Sequence, residues 1–224
     1  MASTGLAEQT RYSATTFRHL LDSLARPGKI NHLEYPHFLG EPPCYYKQAS
    51  ATGVPVNLYA LGAVLTLLDR EVTFTVAASG QWLPHTAPVV QWLTLRSGST
   101  RVTPEAAMFA FFCEGKSEGL VAQLNRGTLL EPESSTTAFY CVERLAEQSG
   151  DTLSDEDASW VALELTGPGI ELTHTLSVEG MDRAEIAQIN AARRRYPLGI
   201  DVCLIDAVGR CVGLPRTTRI RIMS

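Results

Sequence analysis

Three arginine-bearing stretches of this chain could hold an oxyanion. Asn125-Arg126-Gly127-Thr128 follows a helix-patterned stretch and precedes a turn, Glu131-Pro132-Glu133-Ser134. A guanidinium beside hydroxyls and a glycine-freed backbone can cradle a phosphate-like group. The same residues also read as a helix C-cap, with Gly127 left-handed and a polar turn after it. Leu214-Pro215-Arg216-Thr217-Thr218-Arg219 opens the last expected strand and pairs two arginines with two threonines. An arginine-fringed strand edge accounts for it equally well. Arg193-Arg194-Arg195 ends a helical pattern, where cations complement the helix dipole or meet an anionic ligand or partner. Asn125, Arg126, Gly127 and Arg216 are the substrate or anion-binding candidates.

Other chemistries find less support. Leu165-Thr166-Gly167-Pro168-Gly169-Ile170 lacks the following helix that a dinucleotide-binding loop needs, and reads as a tight turn. His19, His32, His37, His85 and His174 are scattered, and Pro36 spoils the one close pair as metal ligands. There is no Ser-His-Asp order, nucleophile elbow or Walker loop. Cys44, Cys113, Cys141, Cys203 and Cys211 form no C-x-x-C. Cys113, Cys141 and Cys203 lie in apolar runs and read as small buried hydrophobes. Neither a catalytic residue nor a metal site is expected. A pyridoxal-phosphate enzyme needs a lysine for its aldimine. The chain has only Lys29, Lys47 and Lys116, and Lys116, in Glu114-Gly115-Lys116-Ser117, is the one plausible candidate.

The elements that must position these residues follow from periodicity. Phe17, Leu20, Leu21 and Leu24 repeat as one face of a helix, capped by Ser13, Thr15 or Thr16 and ended by Arg26-Pro27-Gly28. Prolines mark 31–55 as an extended connector. Leu58, Leu61, Leu65 and Leu68 mark a second helix, and Pro88 to Arg96 a third. Strands are expected at Glu71–Ala77, Thr137–Val142, Ser159–Thr166, Glu171–Val178, Gly199–Asp206 and Thr217–Ile222. Ala106–Cys113 is apolar throughout, as in a strand covered on both faces. Helices are expected at Glu118–Asn125 and Asp182–Arg195, a hairpin turn at Asp206–Arg210, and a mobile loop at Glu147–Asp157. Helices alternating with strands predict a single α/β domain over 1–224, a mixed sheet flanked by helices.

The chain has 224 residues and a net charge of −5, so no basic nucleic-acid footprint is expected. Three of its 19 basic residues are lysines and the rest arginines, the residue of choice for bidentate anion recognition. There is no apolar signal core and no run long enough to span a membrane. A cytoplasmic protein is expected.

Six segments, in order, resemble one family: Phe17-Arg18 through Leu24-Ala25-Arg26-Pro27-Gly28; Leu67-Leu68-Asp69-Arg70-Glu71; Asn125-Arg126-Gly127 with Pro132-Glu133 and Thr136; Leu165-Thr166-Gly167-Pro168-Gly169-Ile170; Tyr196-Pro197-Leu198-Gly199-Ile200-Asp201; and Leu214-Pro215-Arg216-Thr217-Thr218. The family is the H subunit of carbon–phosphorus lyase, PhnH. One departure stands out: Ala106-Ala107-Met108-Phe109 replaces an Ala-Asp-Phe start, so no essential acid is expected there. The resemblance implies a fold similar to pyridoxal-phosphate-dependent transferases without the cofactor. It implies a homodimer alone and assembly with G, I and J subunits in a core complex. With G, I and L proteins, such subunits support displacement of adenine from ATP by an alkylphosphonate. Cleavage of the carbon–phosphorus bond belongs to the J subunit. The expectation is a structural or assembly subunit of phosphonate catabolism with no activity alone. The alternatives are a stand-alone pyridoxal-phosphate transferase and a free-standing phosphonate or nucleotide binder.

Overall fold

A computed structural model describes residues 2–46, 52–147 and 160–223. Helix α1 spans Ala2–Ala25. It starts well before the expected caps because Leu6, Ala7, Glu8, Gln9 and Arg11 are good helix formers with no proline among them. Ser13, Thr15 and Thr16 therefore lie inside the helix, and Thr16 is buried. Past its end, Gly28 takes φ 89°. The connector is mostly extended and holds β1 (Asn31–His32), a 3-10 turn at His37–Leu39, and a two-stranded ribbon of β2 (Cys44–Tyr46) and β3 (Gly53–Pro55).

The next elements are α2 (Leu58–Leu67), β4 (Thr73–Ala78), β5 (Gln81–Trp82), α3 (Pro88–Ser97), β6 (Thr100–Arg101), β7 (Phe109–Phe112), β8 (Thr137–Cys141) and β9 (Arg144–Glu147). Then come β10 (Trp160–Thr166), β11 (His174–Glu179), α4 (Arg183–Ala192), β12 (Asp201–Ile205), β13 (Arg210–Leu214) and β14 (Arg219–Ile222). The main sheet has eight strands in the order β1-β13-β12-β8-β7-β4-β5, with β6 beside β4. Its middle strands β12, β8, β7 and β4 run parallel. An antiparallel sheet, β14-β10-β11-β9, forms a second layer.

Side chains alternate across the parallel strands and are apolar on both faces. Phe74, Val76, Phe111, Phe139, Cys203 and Ile205 face α1, α2 and α3. Ala110, Phe112, Ala138, Tyr140, Val202 and Leu204 face the second sheet and α4. This is the mixed α/β sheet that the sequence pattern predicts. Four of the five cysteines are buried and all are free. Burial pushes the Cys211 thiol up to about 12. Among the described residues no helix is long and apolar enough to cross a membrane.

Four expectations need correction. The apolar run Ala106–Cys113 yields a strand only from Phe109, because Pro104 opens a 3-10 turn ahead of it. Glu118–Asn125 forms just a 3-10 turn at Leu120–Gln123, too short to recover the cost of nucleating an α-helix. The hairpin at Asp206–Arg210 pairs β12 with β13, not with the last strand. Pro215 ends β13 in a turn, Thr218 donating its N–H to the Pro215 carbonyl at 2.8 Å, and β14 crosses to the second sheet beside β10. Helix α4 is also shorter than expected, which leaves Arg193, Arg194 and Arg195 beyond its last turn. Of the expected mobile loop, Glu147 ends β9 and the remainder lies outside the described residues, as does Lys47.

Close packing generates one prediction. A Cβ at Gly213 would lie 2.6 Å from the Ser23 carbonyl group, so α1 rests directly on β13. Gly213→Ala forces them apart and is expected to cost roughly 1–3 kcal/mol; an unchanged urea midpoint would contradict this packing.

Capping generates another. Asp182 caps α4, its Oδ1 accepting from the Glu185 N–H at 2.8 Å. That bond, and then Lys116 at 3.4 Å, holds the carboxyl below its usual range. Stability from a depressed carboxyl is present above its unfolded value, about pH 4, and is lost as pH falls through the folded one. Asp182→Ala is expected to cost about 1 kcal/mol at neutral pH and less near pH 3; urea unfolding at both pH values checks it.

Candidate functional site

The two edges of the parallel sheet differ in charge. At the amino edge lie the loop before β8, the segment between α4 and β12, and the turn from β13 to β14. These segments carry all four anion-binding candidates. Asn125 braces its own loop, Oδ1 accepting from the Gly127 N–H at 3.0 Å and Nδ2 donating to the Ser134 carbonyl at 2.8 Å. Gly127 has φ 75°, and a Cβ there would lie 2.6 Å from the Pro132 carbonyl oxygen. The Gly199 N–H donates to the Arg126 carbonyl at 2.9 Å, which joins this loop to the start of β12.

Arg216 is held from several sides. Its backbone N–H and its Nη2 donate to the two Asp201 carboxylate oxygens, each at 2.7 Å, and its Nε approaches Oδ1 at 3.3 Å. Its Nη1 donates to the Pro132 carbonyl. The Arg216 and Asp201 side chains are only 17% and 19% exposed. Arg216 thus clamps the candidate loop to β12 and β13. Arg126 is exposed, with one guanidinium bond to the Ala122 carbonyl at 3.2 Å. Of the four candidates, Arg126 therefore presents the freest charge.

The residues just past α4 fill the space between these loops. Arg193 is buried, its Nε donating to the Ile200 carbonyl at 3.2 Å and its Nη2 to the Leu214 carbonyl. Burial pulls its guanidinium down to about 10, against the opposing pull of Asp201. Two cavities flank this segment. One, of about 600 Å3, is lined by Arg126, Arg194, Arg195 and Leu198 among others. The other, of about 550 Å3, is lined by Arg193, Arg194, Arg216, Arg219, Tyr196 and Thr218 among others. Among the described residues no carboxylate, histidine or cysteine lines either one. The arrangement can hold an oxyanion, but its walls carry no nucleophile paired with a general base.

The carboxyl edge carries what the sequence reading missed. A cleft of about 780 Å3 opens there, lined by Tyr45, Asn57, Glu114, Lys116, Glu118 and Glu143 among others. The Tyr45 hydroxyl donates to Glu114 Oε1 at 3.1 Å, and the Ser79 N–H to Oε2 at 2.9 Å. Burial, then the Glu114 charge, raises the Tyr45 phenol. Asn57 caps α2 through Oδ1 and donates from Nδ2 to the Asp206 carbonyl at 2.7 Å. Lys116, the lysine of the pyridoxal-phosphate alternative, pairs with Asp182 at 3.4 Å, both about half exposed. A signal for this cleft was available: Glu114, Glu143 and Asp206 each stand within two residues of a strand's carboxyl end, where open α/β sheets place ligands. Among the described residues no group of three or more His, Cys, Asp or Glu could hold a metal.

Breaking the Arg216 clamp tests its structural weight. Asp201→Ala strands a largely buried guanidinium and is expected to cost roughly 2–4 kcal/mol, near the range for buried pairs cut on one side. Arg221→Ala removes a pair with Glu164 whose arginine is 71% exposed, and is expected to cost far less because solvent screens it. Guanidinium-chloride unfolding measures both, and equal losses would refute the clamp.

The comparisons with known proteins bear on the whole chain. The family model described as "Bacterial phosphonate metabolism protein (PhnH)" matches residues 4–221. The chain is 28% identical over 219 residues to the alpha-D-ribose 1-methylphosphonate 5-triphosphate synthase subunit PhnH of Rhizobium meliloti (strain 1021), covering 97% of this chain and 94% of that protein. It is 27% identical over 208 residues to the protein of Stutzerimonas stutzeri described as "Putative C-P lyase subunit protein HtxG", covering 93% of this chain and 85% of that protein. The matched span takes in both sheets and the arginine edge, and the chain belongs to the PhnH family of bacterial phosphonate metabolism proteins.

Proposed function

We propose that this chain is an assembly subunit of the carbon–phosphorus lyase core complex in phosphonate catabolism. The observation that carries this is the family match over residues 4–221, with both named relatives described as subunits. In finer terms, the chain assembles with G, I and J subunits, forms a homodimer alone and works in the cytoplasm. Its single domain is similar to pyridoxal-phosphate-dependent transferases without the cofactor. With G, I and L proteins it supports transfer of the ATP ribose triphosphate to an alkylphosphonate, releasing adenine.

Physical features of the amino edge support a role at a subunit boundary. The turn that carries Arg126 also presents Leu129 and Leu130, 77% and 93% exposed. Apolar side chains beside arginines are the composition that interfaces favour. Asn125, Arg126, Gly127 and Arg216 form the side facing a shared anionic-substrate site in this reading.

Co-expression of the tagged chain with its G, I and J partners tests the proposal. The expected result is one stoichiometric species on mass measurement. Elution of the chain without those partners would refute the assembly role.

A further inference from the structure

We infer that the cavity between the end of α4 and the turn into β14 binds a phosphoryl or phosphonyl oxyanion carried on a small organic group. Its volume, about 550 Å3, falls within the range of small-molecule sites, roughly 300–1,000 Å3. Among the described residues four arginines and no carboxylate line it. They differ in what they have left to give. Arg216 is committed to Asp201 and the Pro132 carbonyl, and serves as a rigid floor. Arg194 and Arg219 are exposed and make no ion pair among the described residues. They are free to close on an anion.

Arg193 makes this more than a surface patch of charge. It is buried in the wall, bonded through Nε and Nη2 to two carbonyls, while its Nη1 has no partner. Thr218 Oγ1, in the same wall, is also buried and unpartnered. Carbonyls offer partial charge only, and a buried cation without a full counter-charge is costly. The nearby carboxylate, Asp201, is bound to Arg216. An oxyanion supplies the missing charge, and one of its oxygens can accept from the free Nη1 in a charge-assisted bond. Tyr196, 73% exposed, lines the same cavity and offers an aromatic face to the organic group.

The inference deepens the anionic-site part of the proposed function. It needs no partner chain, so its failure leaves the subunit role standing. Calorimetry on the isolated full-length chain at low salt, with inorganic phosphate and with phenylphosphonate, tests it. Two charge-matched double variants are compared: Arg194→Ala with Arg219→Ala, and Arg18→Ala with Arg183→Ala outside the cavity. All four side chains are exposed, so both variants are expected to fold. Saturable binding that weakens about tenfold or more in the first variant, and under about threefold in the second, supports the site. No saturable binding by the natural chain, or equal weakening in both variants, overturns it. Tighter binding of phenylphosphonate than of phosphate supports the role of Tyr196; equal affinities overturn that part and support the arginine floor alone.

Discussion

The parallel strands at the centre of this molecule have no face to offer water. β7 reads Phe109-Ala110-Phe111-Phe112 and β8 Thr137-Ala138-Phe139-Tyr140-Cys141, so side chains pointing either way must be buried. Two covering layers follow from that constraint. Helices supply one and the antiparallel sheet with α4 supplies the other. Each buried side chain of this size is worth roughly 1.5–3 kcal/mol, well above the contribution of any exposed ion pair. Polar groups are thereby driven to the strand ends, and both candidate sites lie there.

A charged group left inside is costly unless hydrogen bonds satisfy it, and Glu185 shows how. It is buried on α4, yet Oε1 accepts from the Tyr140 hydroxyl at 2.8 Å and Oε2 from the Ser117 N–H at 2.9 Å. Burial and this carboxylate raise the Tyr140 phenol well above its ordinary value. The bonds tie α4 to β8 and to the loop after β7. They hold the helix whose far end delivers the arginines to the amino edge. The position of Arg193 and Arg194 thus depends on a hydrogen-bond pair at the opposite end of the same helix.

Much of this architecture was legible in the sequence because it is written in local patterns. The leucine spacing over Leu58–Leu68, Pro88 at the start of α3 and the apolar run ending at Cys113 mark elements that the structure contains. What was illegible depends on partners distant in sequence. Nothing near Arg216 announces that Asp201 and the Pro132 carbonyl will take its bonds. A short strand such as β13, with Gly213 in it, carries too little periodicity to stand apart from a turn. It exists because α1 and β12 pack against it. Asn125, Arg126, Gly127 and Arg216 are brought to one edge by the structure, but Asn125 and Gly127 are engaged in shaping their loop and Arg216 in clamping it. Free charge at this edge belongs to Arg126 and also to Arg194 and Arg219, whose exposure no spacing rule reveals.

The opposite charges of the two edges have a kinetic consequence. A strand the length of β8 separates them by about 17 Å, twice the distance over which physiological salt screens charge, about 8 Å. An approaching macromolecule therefore senses one edge at a time, although the chain as a whole carries a net −5. A negatively charged surface is turned toward the arginines before any contact forms, and repelled by the glutamates otherwise. Encounter is biased in orientation, and that bias fades as salt rises.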